Sequence, residues 1–122
     1  MDESILNTTK KLLGLEPDLT CFDQDILVHI NAVLSALTQM GVGPEDGFVI
    51  EDATATYEDY LGEEAKNYQD VKTYIYYKVR LGFDPPASST ITNSINDLLA
   101  ETEWRIWMKA NPPDHKGGEN SK

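Results

Sequence analysis

The sequence is poor in the residues on which metal and disulfide chemistry depends. Its 122 residues include one cysteine, Cys21, and two histidines, His29 and His115. One cysteine cannot close an intramolecular disulfide, and neither histidine has the neighbouring ligands of a zinc-binding pattern. Because Thr20 and Phe22 flank it, Cys21 is predicted to be a small hydrophobic residue of the core.

Catalytic and ligand-binding motifs are missing as well. Gly41 and Gly43 precede Pro44 and lack the Lys-Ser/Thr ending of a phosphate-binding loop. The acidic pairs lack the alternating spacing of a calcium-binding loop, and no serine or histidine lies in a nucleophile motif. Adjacent carboxylates such as Glu58 and Asp59 would need a cleft to perform acid–base chemistry. We therefore predict no catalytic residue, no metal and no cofactor, and we do not expect an enzyme.

Basic residues and long apolar runs are also scarce. No apolar run approaches the ~20 residues that span a bilayer, so no membrane partner is expected. The chain has 10 Lys and Arg against 21 Asp and Glu, a formal net charge of −11. This deficit of cations argues against sequence-independent binding of nucleic acid, which depends on Lys and Arg displacing counterions from phosphates. The single cysteine and the absence of a signal-peptide pattern predict an intracellular product.

Hydrophobic periodicity predicts an all-α bundle of about four helices. The length suits one domain with a modest core, and we assign residues 1–110 to it and 111–122 to a flexible polar tail. Thr20 or Asp23 is expected to cap the second helix. The predicted helices run from Glu3 to Leu13, from about Asp23 to Gly41, from Glu64 to Leu81 and from about Ser88 to Lys109.

A long acidic loop is predicted between the second and third helices. Between Pro44 and Glu64 there are eight acidic residues and no basic one. Phe48–Ile50 is expected to form a small strand or an anchor, and residues 56–61 one helical turn. The basic residues lie mainly at 10–11, 66–80 and 105–122. A molecule with two such regions can pair head-to-tail with copies of itself, although the loop could also serve only to keep the protein soluble.

The end of the last helix combines aromatic and basic residues. Trp104 and Trp107 are three residues apart and are therefore neighbours on a helix, with Arg105 and Met108 beside them. Two interpretations are open. Either one tryptophan closes the core, or the cluster is an exposed anchor for a partner, because Trp and Arg dominate binding hot spots.

Eight short motifs follow one another along the chain. They are Phe22–Ile26, His29–Asn31, Gly41–Pro44, Phe48–Asp52, Val71–Tyr76, Lys78–Leu81, Phe83–Pro86 and Glu103–Arg105. As an ordered set they resemble the small helical head–tail connector proteins of long-tailed bacteriophages and prophages. The resemblance covers about Ser4 to Ile106, and that family has no catalytic motif.

The resemblance implies a virion protein of the head–tail junction that assembles in the bacterial cytoplasm. Such proteins form a ring of about twelve copies beneath the portal protein, where they extend the DNA channel and dock the stopper or tail-completion protein. DNA would pass through the lumen without specific binding. In that family a segment of each subunit embraces the portal, and by position this is 104–113 here. Its portal-contact candidates are Trp104, Arg105, Trp107 and Met108.

The charge pattern then suggests how neighbouring subunits of the ring meet. Acidic residues 44–64 of one copy would face basic residues 66–80 of the next. The isolated chain could remain a monomer until the portal templates the ring. The subunit-interface candidates are Glu58, Asp59, Glu63, Glu64, Lys72, Lys78 and Arg80.

Two other functions are left open by the sequence. The main alternative is an acidic, DNA-mimicking module that inhibits a host protein. The other is a hydrolase that uses carboxylates and a metal ion.

Overall fold

The computed structural model describes residues 4–62 and 69–111, and within these ranges there are five helices and no β-strand. The helices are α1 (Ile5–Leu12), α2 (Asp23–Gln39), α3 (Tyr57–Leu61), α4 (Gln69–Phe83) and α5 (Ser89–Ala110). The predicted all-α bundle is confirmed. The helix beyond the expected four is α3, which is the single turn predicted inside the acidic loop.

Helices α2 and α4 form the centre of the bundle. α5 packs against α4, while α1 contacts both central helices. On α2 the buried residues recur at intervals of three and four, which places them on one face of the helix. On α4, Val71, Ile75 and Val79 form a similar stripe at intervals of four. The described helices include none that is long and apolar enough to cross a membrane.

The start of α2 differs from the prediction. Neither Thr20 nor Asp23 is the N-cap, because Phe22 holds that position without a side-chain hydrogen bond. The Asp23 carboxylate instead lies 2.9 Å from the Nζ of Lys10. Lys10 is fully buried and also donates a hydrogen bond of 3.0 Å to the carbonyl oxygen of Pro17. Asp23 therefore compensates a buried ammonium group, which is costly to leave without a partner.

The other helix ends agree with the sequence to within a few residues. Ser4 caps α1 and Ser88 caps α5, each through its hydroxyl oxygen. α4 continues past Gly82 to Phe83, and its predicted start at Glu64 lies outside the described residues. Residues 112–122 of the predicted tail are outside them too. The prediction for Cys21 is wrong: it lies in the exposed connection between α1 and α2 and not on a buried helix face.

Most of the acidic loop is docked on the bundle. Val42 and Ile50 are buried, and the ring of Phe48 packs on that of Tyr60 with 5.0 Å between the centroids. Near the end of the loop, the backbone N–H of Ile5 donates to the carbonyl oxygen of Ala55 at 3.0 Å. Of the two structures expected for Phe48–Ile50, the anchor is therefore the one that forms.

Candidate interaction surfaces

The C-terminal half of α5 carries an exposed aromatic surface. Trp104 is 63 % exposed and Trp107 is 48 % exposed, so neither tryptophan closes the core. A shallow pocket beside them is lined by Met40, Ala100, Glu103, Trp104 and Trp107, and we call these five residues the tryptophan surface. Of the two interpretations of the aromatic cluster, core closure is therefore wrong, and the role as an anchor for a partner stays a prediction.

The register of α5 explains why both tryptophans face outwards. Its buried stripe is Ile95, Leu99, Thr102 and Ile106, at intervals of four, three and four. At 100° per residue, Trp104 lies about 200° from Thr102, and Trp107 about 100° from Ile106. Neither tryptophan can therefore share the buried stripe. Met108 is half-buried and lies outside the pocket.

Asn111 holds the tryptophan surface to the end of α2. Its side-chain amide donates to the carbonyl oxygen of Met40 at 2.8 Å and to that of Trp107 at 3.1 Å. The first bond satisfies the carbonyl group of Met40 at the C-terminal end of α2, where helix carbonyls lack an intrahelical partner, whereas the carbonyl of Trp107 also accepts from the backbone N–H of Asn111 at 2.8 Å. The surface is thus built from the ends of two connected helices.

Arg105 is already engaged within its own subunit. Its guanidinium lies 3.4 Å from Asp70 on α4 and 3.6 Å from Glu101, four residues earlier on α5. The hydrogen bonds that the guanidinium donates to the Asp70 carboxylate raise the pKa of Arg105 above its ordinary value. Because these groups are exposed, the pairs add little to stability. A partner that bound Arg105 would have to compete with Asp70 and Glu101.

The acidic interface candidates have different roles in the subunit. Asp59 forms a capping box with Thr56: each side chain accepts a hydrogen bond of 3.0 Å from the other residue's backbone N–H. This arrangement fixes the start of α3. Glu58 follows Tyr57 on the same short helix and is half-buried. Glu63 and Glu64 lie outside the described residues.

The basic candidates lie on different sides of α4. Lys72 places its Nζ 5.2 Å from the ring centre of Tyr57, and Lys78 places its Nζ 5.8 Å from that of Tyr74. Arg80 donates to the hydroxyl of Tyr76 at 3.3 Å. Lys78 and Arg80 are two positions apart on α4, which turns their side chains about 200° from each other around the helix axis. They therefore cannot contact the same flat partner surface. The structure does not bring the three bases together.

A second apolar surface, which the sequence reasoning missed, lies at the other end of α2. The rings of Phe22 and Phe83 pack edge to face with 5.6 Å between the centroids, and Leu19 and Phe22 are exposed. We call Leu19, Phe22 and Phe83 the phenylalanine corner. Phe22 directly precedes α2 and Phe83 ends α4. An antiparallel arrangement of α2 and α4 brings these two helix ends together, and the sequence signal for this surface was an aromatic residue at each of them.

A pocket beside this corner contains His29 and two carboxylates. It is lined by Phe22, Asp25, His29, Gly82, Phe83 and Asp84. The His29 ring fits against Gly82, where a Cβ atom would stand 2.7 Å from two ring atoms. Across residues 4–62 and 69–111, no three His, Cys, Asp or Glu side chains are placed to hold one metal ion.

Comparison with known proteins identifies one related family. The sequence model of a family described as phage connector protein matches residues 5–112. No curated protein and no solved structure matches the chain.

Proposed function

The chain belongs to the phage connector protein family, and on that premise we propose that it forms an adaptor ring beneath the portal of a DNA-filled capsid. Membership confirms the resemblance drawn from the motifs and makes the chain a structural protein of the head–tail junction that contacts other phage proteins. The proposal adds that about twelve copies assemble into a ring, extend the DNA channel and dock the stopper or tail-completion protein.

The observation that supports this proposal best is the exposed tryptophan surface. Two tryptophans that are about half exposed or more leave a large apolar area in water, and burying that area on a partner is favourable. Trp, Met and Arg are also enriched at protein interfaces. Among the four portal-contact candidates we assign the main contact to Trp104 and Trp107, because Arg105 is paired with Asp70 and Met108 is half-buried.

The phenylalanine corner supports a second contact on the opposite side of the ring. It lies at the N-terminal end of α2, whereas Met40 of the tryptophan surface follows the C-terminal end. With 1.5 Å per residue, the 17 residues of α2 separate the two surfaces by about 25 Å. We assign the tryptophan surface to the portal and the phenylalanine corner to the stopper or tail. An adaptor needs two such separate sites.

The proposed contact between neighbouring subunits is electrostatic. Acidic residues of the 44–64 segment, with Glu58, Asp59, Glu63 and Glu64 as candidates, face basic residues on α4 of the next copy. Lys78 is exposed, whereas Lys72 and Arg80 are half-buried beside tyrosines of their own subunit. Lys78 is therefore the base most accessible to a neighbour. Acidic groups that face the lumen would repel phosphate and let DNA pass.

The test is the mass of the assembly formed with purified portal protein. The variant Glu58→Gln/Asp59→Asn/Glu63→Gln/Glu64→Gln should lose ring-sized assemblies, while Asn at position 59 still offers an oxygen to Thr56. A matched control, Glu16→Gln/Asp18→Asn/Asp84→Asn/Asp97→Asn, removes four charges elsewhere and should assemble normally. Normal rings from the first variant would refute the electrostatic contact, and a chain that never assembles on a portal would refute the adaptor.

A further inference from the structure

The acidic loop contains a short stretch, Phe48–Glu51, in which exposure alternates from residue to residue. Phe48 is half-buried, Val49 is 71 % exposed, Ile50 is buried and Glu51 is exposed. A period of two is the pattern of an extended chain that rests one face on a core. The stretch therefore resembles a single β-strand that has no neighbouring strand among the described residues.

Asn31 of α2 takes the place of a neighbouring strand for Ile50. Its side-chain amide donates to the carbonyl oxygen of Ile50 at 2.9 Å and accepts from the Ile50 N–H at 2.9 Å. A residue in the hydrogen-bonded register of an antiparallel pair makes the same two bonds. This amide clamp fixes the backbone at Ile50 and leaves the backbone edges of the neighbouring residues uncovered by Asn31.

The other backbone groups of this stretch are not used in hydrogen bonds within the described residues. The N–H and C=O groups of Phe48, Val49 and Glu51 make no hydrogen bond to any residue in the described parts of the chain. An exposed strand edge of this kind is what an extended peptide uses when it adds to a protein by main-chain pairing. Val49 adds an exposed β-branched side chain that such a peptide would cover.

A groove runs between this stretch and α2. It is lined on the helix by Asn31, Ser35, Thr38 and Gln39 and on the loop by Asp46, Gly47, Phe48 and Val49. The helical wall is polar but uncharged. In an extended chain the N–H and C=O groups of successive residues point to opposite edges, so those of Val49 and Glu51 point away from the edge that Asn31 clamps and leave that second edge open to main-chain pairing.

Charge indicates what kind of peptide fits. Asp46 lies at one end of the stretch, Glu51 and Asp52 lie at the other, and no Lys or Arg occurs from 44 to 62. In the described part of this chain, every Lys and Arg belongs to α1, α4 or α5. A second copy therefore offers no extended basic segment from its described residues.

We propose that Phe48–Glu51 is a strand-addition site that binds an extended, lysine- or arginine-containing segment of another protein. The incoming backbone pairs with the N–H and C=O groups left over beside the Asn31 clamp, and its basic side chains meet Asp46, Glu51 or Asp52. This contact goes beyond the adaptor function proposed above, because it depends on main-chain groups of the loop and on neither the tryptophan surface nor α4.

The experiment uses the full chain and a synthetic probe, the N-acetylated peptide amide Lys-Val-Thr-Val-Lys-Thr. Binding is followed by amide nuclear magnetic resonance shifts, and hydrogen exchange is measured with the probe at saturation. We expect exchange of the Val49 or Glu51 amide to slow by about tenfold or more. A probe N-methylated at alternate residues, and a probe with Glu in place of Lys, should each bind at least about tenfold more weakly.

Variants of the loop separate main-chain pairing from a general attraction to acidic residues. Val49→Pro removes one N–H and should weaken probe binding, whereas Val49→Thr keeps the backbone and should bind as the unaltered chain does. Glu51→Pro compared with Glu51→Gln repeats the test at a second position with the charge removed in both, and native circular dichroism establishes that each variant is folded. Three results would overturn the proposal: no binding, equal binding by the proline variants, or protection at 49 and 51 that grows with protein concentration alone.

Discussion

The fold treats two groups of aromatic residues in this chain in opposite ways. Tyr57, Tyr60 and Tyr74 are buried, and they attach the acidic loop and α5 to the bundle. Trp104 and Trp107, the larger side chains, stand in water at the end of α5. Size and hydrophobicity do not explain why one group is buried and the other exposed. The explanation is the position of each residue relative to the buried face of its helix. That position distinguishes residues that stabilise the fold from residues available to a partner.

Glu103 connects the two regions. Its carboxylate accepts a hydrogen bond of 2.8 Å from the hydroxyl of Tyr74, and it also lines the pocket of the tryptophan surface. The buried tyrosine therefore fixes one wall of the exposed surface. Substitutions in the two regions should have different costs in stability, and four of them follow in order of decreasing effect.

The largest loss of stability is expected from Tyr57→Ala. The side chain is buried between α3 and the rest of the bundle, and removing an aromatic ring from a core costs about 3–5 kcal/mol of unfolding free energy. Urea denaturation measures the loss. Val49→Ala in the same loop is the matched control and should stay within about 0.5 kcal/mol, because its side chain is exposed. Equal, small effects would show that the loop is not part of the cooperative fold.

Gly43→Ala should cost less, about 2–4 kcal/mol. Gly43 has a φ of +79°, and a Cβ there would lie 2.5 Å from a ring carbon of Tyr60. Gly14→Ala is the control: its φ is +86° but no atom lies within 4 Å of the added Cβ. The difference between the two unfolding free energies isolates the contact with Tyr60. If both variants lose the same amount, Tyr60 moves aside without cost.

The sequence predicts the buried stripes well because each rests on local periodicity. Ile26, Ile30, Val71 and Ile75 needed no knowledge of a partner helix, since residues three and four apart share a face in any α-helix. The predicted start of the last helix at about Ser88 follows the same local logic, because a serine is a favourable N-cap. The family could also be inferred from sequence, because the order of short motifs is itself a property of the sequence.

The remaining features depend on how the elements meet. On α5 the apolar positions suggest Ile91 and Leu98 as core residues, but Ile91 is exposed and the buried stripe includes the polar Thr102. The register that leaves both tryptophans outside places that threonine inside. Asp23 is a residue type that commonly caps helices, yet its carboxylate forms an ion pair with the buried Lys10 of another helix. Such long-range pairings have no local signal.

A smaller effect is expected from Tyr74→Phe, which deletes the hydrogen bond to Glu103. Glu103 is exposed and can bind water instead, so the cost at neutral pH should be about 1 kcal/mol. Burial, followed by the bond to Glu103, raises the pKa of Tyr74 above its ordinary value. The folded state therefore keeps the proton at a pH at which the unfolded chain releases it.

The sign of the pH dependence follows from that shift. The contribution of Tyr74 is fully present below the ordinary tyrosine pKa of about 10 and is lost as the pH rises beyond it towards the folded-state pKa. The phenylalanine variant lacks this loss. The stability gap between the two proteins should therefore narrow above about pH 10, as measured by urea denaturation at several pH values. A constant gap up to pH 11 would contradict the assigned burial.

The smallest change in stability is expected for the largest side chains. Trp104→Ala and Trp107→Ala should each alter the unfolding free energy by no more than about 0.5 kcal/mol, because exposed substitutions leave no cavity. Each should nevertheless weaken binding to the portal by about 2 kcal/mol or more, roughly thirtyfold, if the tryptophan surface is the contact. Titration of purified portal measures that loss.

Ile91→Ala is the matched control for this last comparison. Ile91 is 49 % exposed against 48 % for Trp107, and it lies on the same helix near the opposite end. It should change neither stability nor portal binding. A loss of about 3 kcal/mol of stability in either tryptophan variant would place that residue in the core. Unchanged portal binding in both variants would refute the assignment of the tryptophan surface to the portal. A surface whose two main side chains can be removed without loss of affinity does not hold the ring to the portal.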